Sequence, residues 1–176
     1  MKTFVIRIRG RSPEPQPRPR VYRHGGVRTD SPAVRAWKNH LILALRAEPD
    51  TPSDIDVRCG IRCLFHLRRP SRHIGAKGLV TPAYADLGHF VKPDGDNLLK
   101  AVLDAQVDAG AMRDDALVGP TEYDKVYAEG GPDTQGIDLV LWWPAPVLPF
   151  WCDEGTSAHP GNPGAHPDRV RQCEAR

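Results

Sequence analysis

The opening stretch MKTFVIRIRG alternates apolar and polar side chains, and residues 3 to 9 predict a first strand. RSPEPQPRPRVYRHGG follows; its prolines and arginines fit extended chain or loop. TDSPAVRAWKNHLILALRAE then changes period. Val34, Trp37, Leu41, Ala44 and Leu45 form one helical stripe, Asp30 or Ser31 is placed to cap it, and Pro32 suits the first helical position. EPDTPSD ends that helix. Alternation returns over residues 55 to 67, where Val57, Cys59, Ile61, Cys63, Phe65 and Leu67 share one strand face. A long polar loop, RRPSRHIGAKGLVTPAYADLGHFVKP, leads to a second helix. Asp94 or Asp96 can cap it, Leu98, Leu99, Val102, Leu103 and Ala105 form its buried face, and Gly110 stops it. A strand begins near Val118, with Pro120 marking an irregular or edge start. TQGIDLVLWW is a last strand, and the turn residues of EGGPDTQG predict a hairpin joining these two. The order strand, helix, strand, helix, strand, strand specifies an α/β (α+β) fold, a small mixed sheet packed with two main helices. Beyond Trp143 the pattern dissolves into proline- and glycine-rich sequence. The expected organisation is therefore one domain over residues 1–145 and a disordered tail over residues 146–176.

Composition narrows the class. A chain of 176 residues suits one domain with an adequate core. No apolar run approaches the ~20 residues that cross a bilayer, and the alternating N-terminus reads as a strand rather than a signal peptide. Cys59 and Cys63 alternate toward a core and have no second closely spaced pair to complete a zinc site, which favours a reducing compartment and a cytoplasmic location. The net charge of +2 conceals an asymmetry. Residues 1–46 hold eleven Lys or Arg against two acids, and residues 57–92 hold seven against one; residues 94–138 hold three against eleven acids. Basic segments beside an acidic one suggest a polyanion held next to a cation site. Arg18, Arg20, Arg23, Arg68, Arg69 and Arg72 are the candidate phosphate contacts, each individually as well explained by solubility. Tyr22 is placed to stack on a base; His66, His73 and His89 are ordinary loop or strand histidines before they are ligands.

The acidic segment reads KPDGDNLLKAVLDA, followed by MRDDALV. An acid at a helix start is ordinary, because it caps backbone N–H groups and suits the dipole. Lys100, four residues after Asp96, fits a helix-stabilising pair worth roughly 0.2–0.5 kcal/mol, and Asp104 extends the row. The second pair, Asp114 and Asp115, is harder to explain. Two acidic pairs brought together by a helix and a turn repel each other unless a cation intervenes. Carboxylates without His or Cys neighbours favour a hard ion, Mg²⁺ or Mn²⁺, which leaves positions for water and phosphate. That chemistry suits phosphodiester cleavage, with a lysine beside the site to stabilise charge or protonate the leaving oxygen.

At these residues the sequence resembles RusA-type Holliday junction resolvases, small metal-dependent endonucleases of bacteria and their phages. The shared pattern is D-x-D-N-L-x-K, then an Asp-Ala in the same helix, then D-D-x-x-V, carried by Asp94, Asp96, Asn97, Leu98, Lys100, Asp104, Asp114, Asp115 and Val118. The resemblance is densest over residues 92–118. It implies a RusA-like fold and a Mg²⁺-dependent endodeoxyribonuclease that resolves four-way junctions in DNA recombination and repair. It further implies that Asp94, Asp96 and Asp115 bind the metal and that Lys100 is catalytic. Asp114 is then a ligand, a supporting group or a turn cap, and Asn97 orders the helix start. A symmetric homodimer, which would match the near two-fold symmetry of a junction, is implied as well. Two other readings use the same residues: a nuclease for other branched DNA, and a junction-binding module without catalysis.

Overall fold

The computed structural model describes residues 1–17, 31–85 and 87–145. Asp30, Arg18, Arg20, Tyr22, Arg23 and the expected tail over 146–176 lie outside the described residues. Six main elements follow in order: strand β1 (Lys2–Arg9), helix α1 (Pro32–Ala47), strand β2 (Cys59–Leu67), helix α2 (Gly95–Ala109), strand β3 (Val118–Tyr127) and strand β4 (Gly136–Trp143). They form the α+β fold that the periodicity predicts, a four-stranded mixed sheet with two helices.

The strand order is β1-β4-β2-β3. β4 lies antiparallel to both β1 and β2, whereas β3 runs parallel to β2. The expected β3–β4 hairpin therefore does not form. β2 separates the two strands: it is the most deeply buried of the four and is paired along both sides. β3 is exposed along most of its length and takes the edge. Pro120 sits where the β2–β3 register shifts, between Cys59 and Ile61, as an edge proline should. β2 also starts later than the alternation suggests. Ile55 makes only an isolated bridge to Met112, and Val57 is 41% exposed, because the chain bends before the strand begins.

One face of the sheet carries the core. Phe4, Ile6 and Ile8 align with Leu141, Leu139 and Ile137, and these with Ile61, Cys63 and Phe65. Trp37, Leu41 and Leu45 of α1 join Leu98, Val102 and Ala105 of α2 in the same buried cluster. Ser31 caps α1 through Val34 N at 3.3 Å, and Pro32 stands at the first position. Burial pushes the Cys63 thiol up to about 12, so it packs as a small apolar group rather than a ligand.

The opposite sheet face carries a polar cluster. Asp138 takes hydrogen bonds from Arg9 and, at 3.0 Å, from His66. Burial acts to raise the Asp138 pKa, but these two partners outweigh it and hold the carboxyl below its ordinary value.

Two outcomes follow. Phe65, fully buried on the central strand, is expected to cost about 3–5 kcal/mol when changed to Ala, measured by denaturant unfolding. Because the folded-state pKa of Asp138 is depressed, its contribution to stability is complete above the unfolded value of about 3.9 and is lost as pH falls through the folded one. Asp138→Asn should therefore unfold with a shallower pH dependence below about pH 4 than the parent chain, read from melting midpoints.

Candidate active site

Helix α2 begins at Gly95 with Asp94 as its N-cap residue. The Asp94 backbone carbonyl accepts the first helical bond, from Leu98 N at 3.2 Å, but its side chain makes no capping hydrogen bond. Asp96 lies in the first turn, and both acids are exposed. The carboxylate of Asp94 is thus not consumed by capping, the role that most simply accounts for an acid at a helix start.

Strand β3 fixes where this helix starts. Tyr123, Lys125 and Tyr127 align with Cys63, Phe65 and Leu67, so they project from the helix-covered face. The Tyr123 ring occupies the space that a Cβ at residue 95 would need, which explains the glycine between the two acids. Lys125 Nζ donates to Val91 O and Pro93 O, each at 2.9 Å, and so ties the chain that delivers Asp94. On the other side, Gln16 N donates to Asn97 O at 3.0 Å and lays the proline-rich arm along the first turns of α2.

Further along the helix, Lys100 Nζ reaches Asp104 Oδ1 at 2.8 Å and Asp115 Oδ2 at 3.4 Å. Hydrogen bonding to Asp104 raises the Lys100 pKa above its ordinary value; desolvation opposes this and Asp115 adds to it. Lys100 therefore stays charged through the neutral range and serves as a donor rather than a base. Asp104 faces a second ammonium, Lys38 of α1, at 3.4 Å. Burial pushes the Asp104 pKa up, but Lys100, Gln16 and Lys38 together bring it below the ordinary value. Asp114 accepts from Ala116 N at 2.8 Å and caps the short 3-10 turn that starts at Asp115. Of its three expected roles, the turn cap is the one its side chain plays here.

The sequence-predicted residues thus fall into two groups along α2. Lys100, Asp114 and Asp115 sit with Asp104 on the later turns, where Asp104, Asp114 and Asp115 line a depression of about 300 Å³ together with Lys38 and Arg113. Asp94 and Asn97 line a separate depression at the helix start, and Arg68 is there with them. Among the described residues, no three or more His, Cys, Asp or Glu side chains are gathered closely enough to cage an ion. Mg²⁺ typically takes only one or two carboxylates and fills its remaining positions with water and phosphate. Of the acids on this helix, Asp94 has a carboxylate with no capping bond, the chemistry an ion shared with water and phosphate would need.

Other candidates are placed elsewhere. Arg72 is exposed on a short turn, whereas Arg69 is turned inward, donating to Tyr84 O at 2.8 Å and lying 4.8 Å from the Tyr127 ring centre. His66 belongs to the polar cluster on the far sheet face, and His73 is buried against Tyr84. Lys38, Gln16, Tyr123 and Lys125 escape sequence inspection. Their partners lie in other elements, and only the alternation Tyr-Asp-Lys-Val-Tyr hints that β3 turns three side chains one way. Gly95→Ala is expected to lose about 1–3 kcal/mol by forcing the tyrosine ring aside. Adding Tyr123→Ala should restore most of that loss, a coupling that a double-mutant unfolding cycle reads directly.

No curated protein matches the chain. The family described as Endodeoxyribonuclease RusA matches residues 11–135. That span runs from just past β1 to the threshold of β4 and takes in the whole of α2, the turn at Asp115 and both depressions. With most of its length matched, the chain belongs to the endodeoxyribonuclease RusA family, Holliday junction resolvases that hydrolyse phosphodiester bonds.

Proposed function

We propose that the protein cuts four-way DNA junctions with Mg²⁺ (or Mn²⁺ in its place), using Asp94, Asp96 and Lys100 of α2 and its cap and Asp115 of the turn after it. The observation that carries this is the charged Lys100 held between Asp104 and Asp115, on the helix whose first turn bears Asp94 and Asp96. Asp94, Asp96 and Asp115 would hold the ion together with water and substrate oxygens. When bound, such an ion supplies charge stabilisation at the scissile phosphate and acidifies an attacking water. Asp104, itself paired with Lys38, keeps Lys100 charged and aimed along the helix. Its ammonium donates to a nonbridging phosphate oxygen or to the leaving oxygen as the P–O bond breaks. Arg68 and Arg72, exposed on the chain leaving β2, suit backbone phosphates. Arg18, Arg20 and Arg23, which lie outside the described residues, are proposed for the same task on their charge. A homodimer would present two such helices to a junction that is itself nearly two-fold symmetric. The setting is recombination or repair in the cytoplasm of a bacterium or a phage-infected cell.

A labelled four-way junction with Mg²⁺ tests the reading. The parent chain should introduce paired symmetric nicks, Asp96→Asn should introduce none, and chelation of the metal should stop the reaction. Lys100→Met should slow cutting by about 10²–10⁴-fold, while Lys100→Arg retains part of the rate. Cutting by Asp96→Asn at the parent rate would remove the site assignment. Junction binding that ignores metal and leaves the DNA whole would favour a module that only binds.

A further inference from the structure

The depression at the start of α2 encloses about 460 Å³ and has a lining unlike that of the Lys100 region. Its apolar part is made by Pro13 and Pro15 of the arm, Leu67 at the end of β2, and Pro93. Among these stand uncharged hydrogen-bonding groups, Ser12, Asn97 and His89. His89 is only 6% exposed, its ring is held 4.7 Å from that of Tyr127, and its Nδ1 has no hydrogen-bond partner among the described residues. Burial keeps the His89 pKa below its ordinary value, so near pH 7 the ring is neutral, with one donor and one acceptor nitrogen. Glu14 and Asp94 also face this space. Two carboxyl groups there disfavour a phosphate inside, whereas the cations Arg68 and Lys92 at the same depression favour phosphates beside it.

Proline rings and a leucine, the imidazole of His89, uncharged edge donors and acceptors, and flanking cations together match a nucleobase with its backbone outside. Single-stranded bases are recognised in this way, by stacking on their faces and hydrogen bonding at their edges. We propose that this cavity receives one unstacked base of the strand being cut, immediately beside the scissile phosphate. The assignment rests on the reading above, since Asp94 is common to the cavity and the proposed site. It adds a source of sequence preference that the acids and Lys100 do not supply, because they meet only the phosphate.

The test is a set of four-way junctions, each with one abasic nucleotide, scanned across the positions flanking the cut. With the parent chain, one position next to the cut should slow cleavage by about tenfold, the scale of losing a stacked base, with the others nearly unaffected. Ser12→Trp, which fills the cavity from a half-exposed position, should cut intact junctions about as slowly and be indifferent to that abasic site. A parent chain that cuts intact junctions and tolerates every abasic position overturns the cavity assignment and leaves the nuclease reading standing. A folded Ser12→Trp that cuts at the parent rate overturns it too. A parent chain that cuts no junction removes both. The scan on the unmodified protein decides the matter even where the variant fails to fold.

Discussion

The parallel pairing of β2 with β3 is the constraint from which the site follows. Antiparallel neighbours can be joined by a tight turn, but a parallel pair obliges the chain to cross back over the sheet. Here that crossing is made by the long loop after Leu67 and then by α2, which delivers the chain to Val118 beside Cys59. One end of the helix is therefore set near the exit of β2, where Leu67 and Asp94 share a depression. The other is set near the entrance of β3, where Gly110 and Met112 meet the chain leading into β2. The acids are strung along this span because the helix bridges it, and Asp115 folds back toward them because the next strand begins there.

Electrostatics then decides how so many carboxylates coexist. Asp104 lies between two ammonium groups, one from each helix, and Asp115 shares one of them. At partly exposed positions such pairs contribute modestly to stability. Their larger effect is geometric, since a long flexible lysine is held along one line of the helix. α1 thereby does more than cover the core. Through Lys38 and through Arg46, which donates to Asp108 O at 2.7 Å, it fastens the later turns of α2.

Much of this was legible in the residues, and the failures share a physical cause. Local signals held: Ser31 and Pro32 start α1, Gly110 ends α2 in the left-handed conformation, and Cys59 and Cys63 are core. The spacing of Asp94, Asp96, Lys100 and Asp115 on one helix and the turn after it could also be read directly. Strand neighbours could not. EGGPDTQG has the composition of a hairpin turn, yet β2 outcompetes β3 for β4 because an interior strand rewards burial on both sides, a property of the whole sheet. Val57 kept the alternation while lying outside the strand. Tyr123 and Lys125 are invisible for a related reason: each acts across the gap between sheet and helix.

The glycine between the two aspartates has a bearing on how kinship is recognised among such chains. It stands there for clearance, not for backbone freedom, since an aromatic side chain from a strand fills the recess. The informative unit is then a pair of positions drawn from separate elements. A lineage that trades the tyrosine for something slimmer releases the glycine to drift, so a search template demanding Asp-Gly-Asp would pass over descendants whose acids stand unmoved.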